Sequence, residues 1–254
     1  MSRTKDPLDV AYARILDWWR AQEVASAQTL AQVLGDFQIR FSYNSGRIEN
    51  PHVTYHDTRN VFESGRAVGY TGDVRTLFEI QNLKDCHREM LEAYEVRNPV
   101  TEKLVLAFHQ ALTKGTYDDA RWANGERPGE YKHAAYVVGM RDSGVAPGGV
   151  HKEIEALLEE LKLANSDNVL TVAAYFHAVF EGIHPFADGN GRCGRALMNY
   201  LLLLHGHPPI VIFDDDKLSY YGALEIWDAE EDLNPLRQFL IAETVKTWHK
   251  VAGI

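Results

Sequence analysis

The stretch HPFADGNGRCGR, His184 to Arg195, constrains the fold more than any other part of the chain, because its GNGRCG carries the glycine spacing of a dinucleotide-binding fingerprint. A Rossmann unit needs a buried strand directly ahead of the first glycine and an acid about 20 residues further on. The second requirement finds a decoy in PIVIFDDD, which reads as a strand ending in Asp214. The first fails. AVFEGIHPFAD has helical spacing and then Pro185, and proline is excluded from a central parallel strand. A nicotinamide or flavin oxidoreductase is therefore disfavoured, and the stretch reads as a loop feeding a helix.

Helical patterning dominates the rest. Apolar residues recur at three and four in DVAYARILDWWRAQ and, after a short break, in SAQTLAQVLGDFQIRFS. Asp73 can cap a long helix through DVRTLFEIQNLKDCHREMLEAYEV, stopped by Asn98 and Pro99, and Thr101 restarts another that runs to Lys114 and Gly115. VHKEIEALLEELKLAN, VLTVAAYFHAVFEG, NGRCGRALMNYLLLLHG, KLSYYGALEIWDAE and LNPLRQFLIAETVKTWHK continue the pattern. One region differs: turn-rich RWANGERPGE and RDSGVAPGG bracket the β-type run YKHAAYVVG, which predicts a small hairpin or flap over 127–146. The expected fold class is all-α, a helical bundle with one β-hairpin flap. With no repeat, low-complexity tract or linker, residues 1–254 read as one compact domain with N-terminal helices over 1–60 and a core over 100–215.

Charge and cysteine content narrow the partners. Against 26 Lys and Arg stand 36 Asp and Glu, a formal net charge of -10, which disfavours nucleic acid because no basic patch overrides it. No apolar run approaches the roughly 18 residues that cross a bilayer, and no signal peptide is recognisable, so no membrane partner and a cytoplasmic location are expected. Cys86 and Cys193 form no CxxC pair and read as free thiols. His177, His205 and His207 have no zinc-binding spacing.

The loop itself has the parts of a phosphate site. Gly189, Asn190 and Gly191 can turn their N–H groups toward one point, where the helix behind them adds the positive end of its dipole. Arg192 and Arg195, three apart, share a face and suit bidentate phosphate binding. Asp188 offers one carboxylate, enough for a magnesium ion whose remaining ligands are substrate phosphates. His184, fixed by Pro185, can accept a proton from a hydroxyl near neutral pH. Taken singly each has an ordinary explanation: a helix-terminal histidine, a turn acid, a solvated arginine face. Their combination is what points to a phosphate-transfer site.

At this length and register HPFADGNGRCGR resembles the signature of the Fic family, whose members typically transfer AMP from ATP to a protein hydroxyl. The resemblance implies a Fic fold, ATP as substrate with Mg2+, His184 as base, Asp188 as metal ligand, Gly189 to Gly191 as anion hole, and Arg192 and Arg195 as phosphate clamp. It places Tyr220 and Tyr221 at the adenine, with Asp228 where an asparagine is expected. It also makes 131–138 the flap that docks an extended target segment, with Val138 and Gly139 beside the nucleotide. FSYNSGRIEN adds Ser45, Glu49 and Asn50 at the spacing of the family's inhibitory signature, so Glu49 would take Arg195 from the γ-phosphate. The resulting expectation is a self-inhibited adenylyltransferase acting on Ser, Thr or Tyr of a protein, itself included. AMP removal, transfer of another nucleotide part and non-enzymatic nucleotide sensing remain alternatives, and a homodimer stays open.

Overall fold

A computed structural model describes residues 6–66, 69–136 and 144–254. Twelve α-helices occur among them: α1 (Pro7–Ala21), α2 (Ala27–Leu34), α3 (Phe37–Glu49), α4 (Tyr55–Ser64), α5 (Val74–Glu95), α6 (Glu102–Thr113), α7 (Asp119–Ala123), α8 (Pro147–Glu160), α9 (Val169–Ile183), α10 (Asn190–Leu204), α11 (Lys217–Glu230) and α12 (Asn234–Ala252). The organising element is α10. It is buried on every side from Arg192 to Leu203, the mark of a helix inside a bundle rather than on its surface. Helices α9, α6, α3 and α5 pack around it, so its N-terminal end, where the glycine loop lies, is walled by elements from both halves of the chain.

Local signals explain most boundaries. Ser26 makes a capping box with Thr29, while Thr54 and Thr101 cap α4 and α6 through their hydroxyls. The apolar stretch SAQTLAQVLGDFQIRFS is split in two, because Gly35 turns to φ 44° and ends α2 before α3 begins. Helix α3 then runs on to Glu49, which places Ser45 in its interior.

Two expected strands are absent among the described residues. In PIVIFDDD, Ile210 to Phe213 are buried and belong to no helix or strand, and side chains rather than a sheet bond the backbone. Asn199 exchanges two hydrogen bonds with Ile210 (2.6 and 2.9 Å), Thr247 accepts from Val211 N–H (3.0 Å) and Glu243 from Phe213 N–H (2.7 Å). The flap shows no hairpin in its described part either. The N–H groups of His133 and Ala134 both donate to Glu126 Oε1 (2.9 and 3.1 Å), and Lys132 N–H donates to Pro185 O (2.9 Å), so these donors have no strand to seek. Val138 and Gly139 lie outside the described residues. No described helix is long and apolar enough to cross a membrane, and both cysteines are free and buried.

Candidate active site

The loop between α9 and α10 is held by its own and neighbouring side chains. His184 closes α9 in a left-handed conformation (φ 51°), its N–H bonded to Phe180 O at 3.0 Å. Asn190 does not point outward: it accepts from Phe186 N–H (2.8 Å) and donates back to Phe186 O (2.9 Å), locking the loop. His109, which the sequence reading does not single out, stacks on Phe186 at 3.6 Å and braces the other side. Its Nδ1 accepts from Gly129 N–H (2.9 Å), which leaves Nε2 to donate to Asp188 O (3.0 Å). Burial drives the His109 pKa down to about 3, in keeping with that neutral tautomer. Gly189, at φ 81°, lies so close to Thr113 that a Cβ would meet Cγ2 at 2.6 Å. Only glycine gives this turn.

Arg195, on the next turn of α10, is 1% exposed. Its Nη2 donates to Glu49 Oε1 (2.8 Å) and to Ser45 O (2.9 Å), while Nε donates to Ser45 Oγ (3.0 Å). Burial opposes its charge, yet Glu49, Tyr220 and Glu181 around it raise its pKa above the ordinary arginine value. Glu49 also lies over Gly191, where any Cβ would collide with Oε1. Its carboxylate therefore sits on the first turn of α10, where exposed N–H groups and the helix dipole favour an anion.

Asp188 has cations on both oxygens. Arg75 Nη2 lies 2.7 Å from Oδ2, Arg121 Nη2 3.9 Å from the same atom, and Arg192 Nη2 3.3 Å from Oδ1. Burial works against the Asp188 charge, but Arg192, Arg75 and Arg121 more than offset it and hold the carboxyl below its usual range. Arg192 is 3% exposed, and its Nε and Nη1 have no hydrogen-bond partner among the described residues. Glu79, buried on α5, stands 3.8 Å from that Nη1 and 3.2 Å from Arg75 Nε. Asn50, the C-cap of α3, donates to the other Glu79 oxygen (2.7 Å) and to Thr76 Oγ1 (3.0 Å). Among the described residues no group of three or more His, Cys, Asp or Glu could hold a metal by itself. A lone carboxylate at a phosphate cradle still fits a cation coordinated mainly by phosphate oxygens.

The opposite end of the loop is unpaired. Both ring nitrogens of His184 are buried and without a hydrogen-bond partner among the described residues, and burial, with the Lys132 charge adding, lowers its pKa to about 4. Its imidazole is neutral at neutral pH and able to accept a proton. The two tyrosines separate: Tyr220 is buried with its hydroxyl 2.6 Å from His177 Nε2, whereas Tyr221 is partly exposed on α11. Behind them Glu181 and His177 face each other at 4.0 Å, and burial pushes Glu181 up to about 7.

Arg75, Glu79 and His109 enter the site from α5 and α6, with no spacing relation to the motif. Arg75 and Glu79 show only the common i, i+4 pattern of a solvated helix, so nothing in one sequence marks them.

The Fic/DOC family profile matches residues 99–202. Curated relatives include a protein adenylyltransferase Fic of Drosophila persimilis, 29% identical over 227 residues covering 87% of this chain and 42% of the relative. Its counterpart in Drosophila grimshawi is 30% identical over 214 residues, covering 81% of this chain and 41% of the relative. The chain thus spans less than half the length of these relatives. Among solved structures, a Fic domain containing signaling protein from Bacteroides thetaiotaomicron superposes with a TM-score of 0.78 at 23% identity, covering 95% of each chain. Fic-1 from C. elegans superposes at 0.76 and 18% identity, covering 97% of this chain and 70% of the other.

Proposed function

Given that the chain belongs to the Fic/DOC family, we propose that it is a self-inhibited protein adenylyltransferase, moving AMP from ATP to a Ser, Thr or Tyr hydroxyl of a protein and releasing pyrophosphate. The observation that carries this reading is the ion pair of Glu49 with Arg195, seated over Gly191 at the head of α10. Its carboxylate stands in for an anion in a site built for phosphates.

The geometry supports the following roles. His184, neutral and without a hydrogen-bond partner among the described residues, takes the proton from the attacking hydroxyl as its oxygen bonds the α-phosphorus and the bond to the β-phosphate breaks. Arg192 offers to the phosphates buried N–H groups that have no hydrogen-bond partner among the described residues, and the N–H groups of the first turn of α10 add theirs. Asp188 would hold magnesium, which when bound supplies charge neutralisation to the leaving phosphates. Tyr221, exposed where Tyr220 is not, is the residue available to wall the adenine, and Asp228 replaces the asparagine expected beside it. The target segment would lie along the flap, whose backbone at 132–134 is fixed by Glu126 and Pro185. With Glu49 in place the γ-phosphate has no free guanidinium at Arg195, and the enzyme rests.

The test is mass spectrometry of Glu49→Gly protein incubated with ATP and magnesium in lysate. Added AMP on the protein itself or on a target supports the reading. Release of AMP from an already modified protein, with none incorporated, would replace it by the reverse activity.

A further inference from the structure

Arg75 lies outside the motif, yet its Nη2 is 2.7 Å from Asp188, and its Nε rests on Glu79 at 3.2 Å. Glu79 is itself fixed, because its other oxygen accepts from Asn50. The guanidinium is therefore aimed from a buried anchor, while the side chain stays 41% exposed and able to shift by a rotamer. The local charge count gives it a task. In the resting protein the guanidiniums of Arg75, Arg121, Arg192 and Arg195 face the carboxylates of Asp188, Glu79 and Glu49, with Asp118 also on Arg121, and the cluster is balanced. A triphosphate with its metal brings more negative charge than the single carboxylate of Glu49 that it displaces, and without Arg75 less of that excess would be compensated in a partly buried site.

We propose that Arg75 is a further nucleotide-binding residue, which turns from Asp188 to the β- and γ-phosphates when a metal ion takes its place on that carboxylate. The inference rests on the adenylyltransferase reading and adds a contact from α5 to it. Because Arg75 sits on Asp188, the carboxylate assigned to the metal that would neutralise the leaving phosphates, its contact would fall at the pyrophosphate end of the nucleotide and not at the AMP end. Arg75 thereby discriminates by phosphate number.

Isothermal titration of ATP, ADP and AMP with magnesium into Glu49→Gly/His184→Ala protein, which binds without turnover, gives the reference affinities. Adding Arg75→Ala should weaken ATP and ADP about tenfold to a hundredfold, the range for one charge-assisted hydrogen-bonded contact, and leave AMP unchanged. Arg75→Lys should fall between, since it keeps the charge and loses the fork. Unchanged or tighter ATP binding in Arg75→Ala would overturn the proposal, as would an equal loss for AMP, which signals a packing defect. A reference protein that binds no ATP at all would instead sink the adenylyltransferase reading and this one with it.

Discussion

The two ends of the glycine loop are in opposite electrostatic states. At the phosphate end, Arg195 is held by Glu49 and Ser45, and Asp188 is held by Arg75 and Arg192. At the acceptor end, His184 carries two buried ring nitrogens with nothing on them among the described residues. One end is filled by the chain's own groups, the other waits for a partner. On the proposed reading, the restraint acts on how the nucleotide binds, while His184 is left to meet the hydroxyl. The proposed restraint belongs to one helix, α3, which carries both Ser45 and Glu49, so on that reading moving α3 would suffice for release.

Removing the base tests the open end and should have the largest effect. His184→Ala is expected to cost about 10²- to 10⁴-fold in transfer rate, measured in a Glu49→Gly background, with ATP affinity kept. Wild-type transfer in that variant would take His184 out of the mechanism. A parallel loss of ATP affinity would mean that the two ends are not independent.

Emptying the filled end comes second. Glu49→Gly should raise AMP transfer about tenfold, the lower end of what a charge-assisted bond is worth, because Glu49 is 38% exposed and solvent screens part of its pull. Self-modification read by mass is the first signal. Arg195→Ala should be inactive with or without Glu49, since it removes both the anchor of the restraint and the partner of the γ-phosphate. Equal rates for wild type and Glu49→Gly at saturating ATP and magnesium would reduce Glu49 to a surface carboxylate.

The filled and open ends also differ in how far the sequence reveals them. His184, Asp188, Gly189, Arg192 and Arg195 lie within twelve consecutive residues, so one loop and one helix turn bring them together, and spacing alone conveys it. Glu49 is legible only through its motif, because 146 positions separate it from Arg195 and the pairing needs α3 to pack on α10. Arg75 and Glu79 are illegible: their surroundings are set by α5 crossing the head of α10, a tertiary fact with no local pattern. Helices read well where caps and periodicity agree, as at Thr101 and α6. The two expected strands are absent among the described residues for one shared reason. In 210–213 and 131–136 buried or held backbone is satisfied by side chains of Asn199, Thr247, Glu243 and Glu126, and β-type composition cannot distinguish such a side-chain cradle from a sheet partner.

Ser45 sharpens the contrast within the filled end. Being interior to α3, it does not act as a cap: its buried hydroxyl receives Arg195 Nε directly. Ser45→Ala loses that bond and keeps both the backbone contact of Ser45 and the Glu49 pair. Transfer should rise only about twofold to fivefold, less than with Glu49→Gly, as suits one hydrogen bond of modest net worth. A rise equal to that of Glu49→Gly would mean that the hydroxyl, and not the carboxylate, is the main restraint.

The smallest effect expected is that of pH on the open end, and its size is the point. An exposed histidine with a pKa of about 6.5 would lose roughly nine-tenths of its base form on going from pH 8 to pH 5.5. His184 is held at about 4, first by burial and then by the Lys132 charge, with Glu49 and Asp188 pulling the other way. A lowered histidine pKa means that the proton-accepting form persists until pH falls through the lowered value, so the acid limb moves down. Glu49→Gly takes away one of the two charges that raise it, which moves the limb lower still. In that variant kcat/KM, which reports the free enzyme, should stay nearly flat from pH 8 to about 5.5, provided folding is checked across the range by circular dichroism. An acid limb centred near 6.5 would show that water reaches the imidazole once Glu49 is gone, so that releasing the filled end also opens the other and the two cannot be treated as separate.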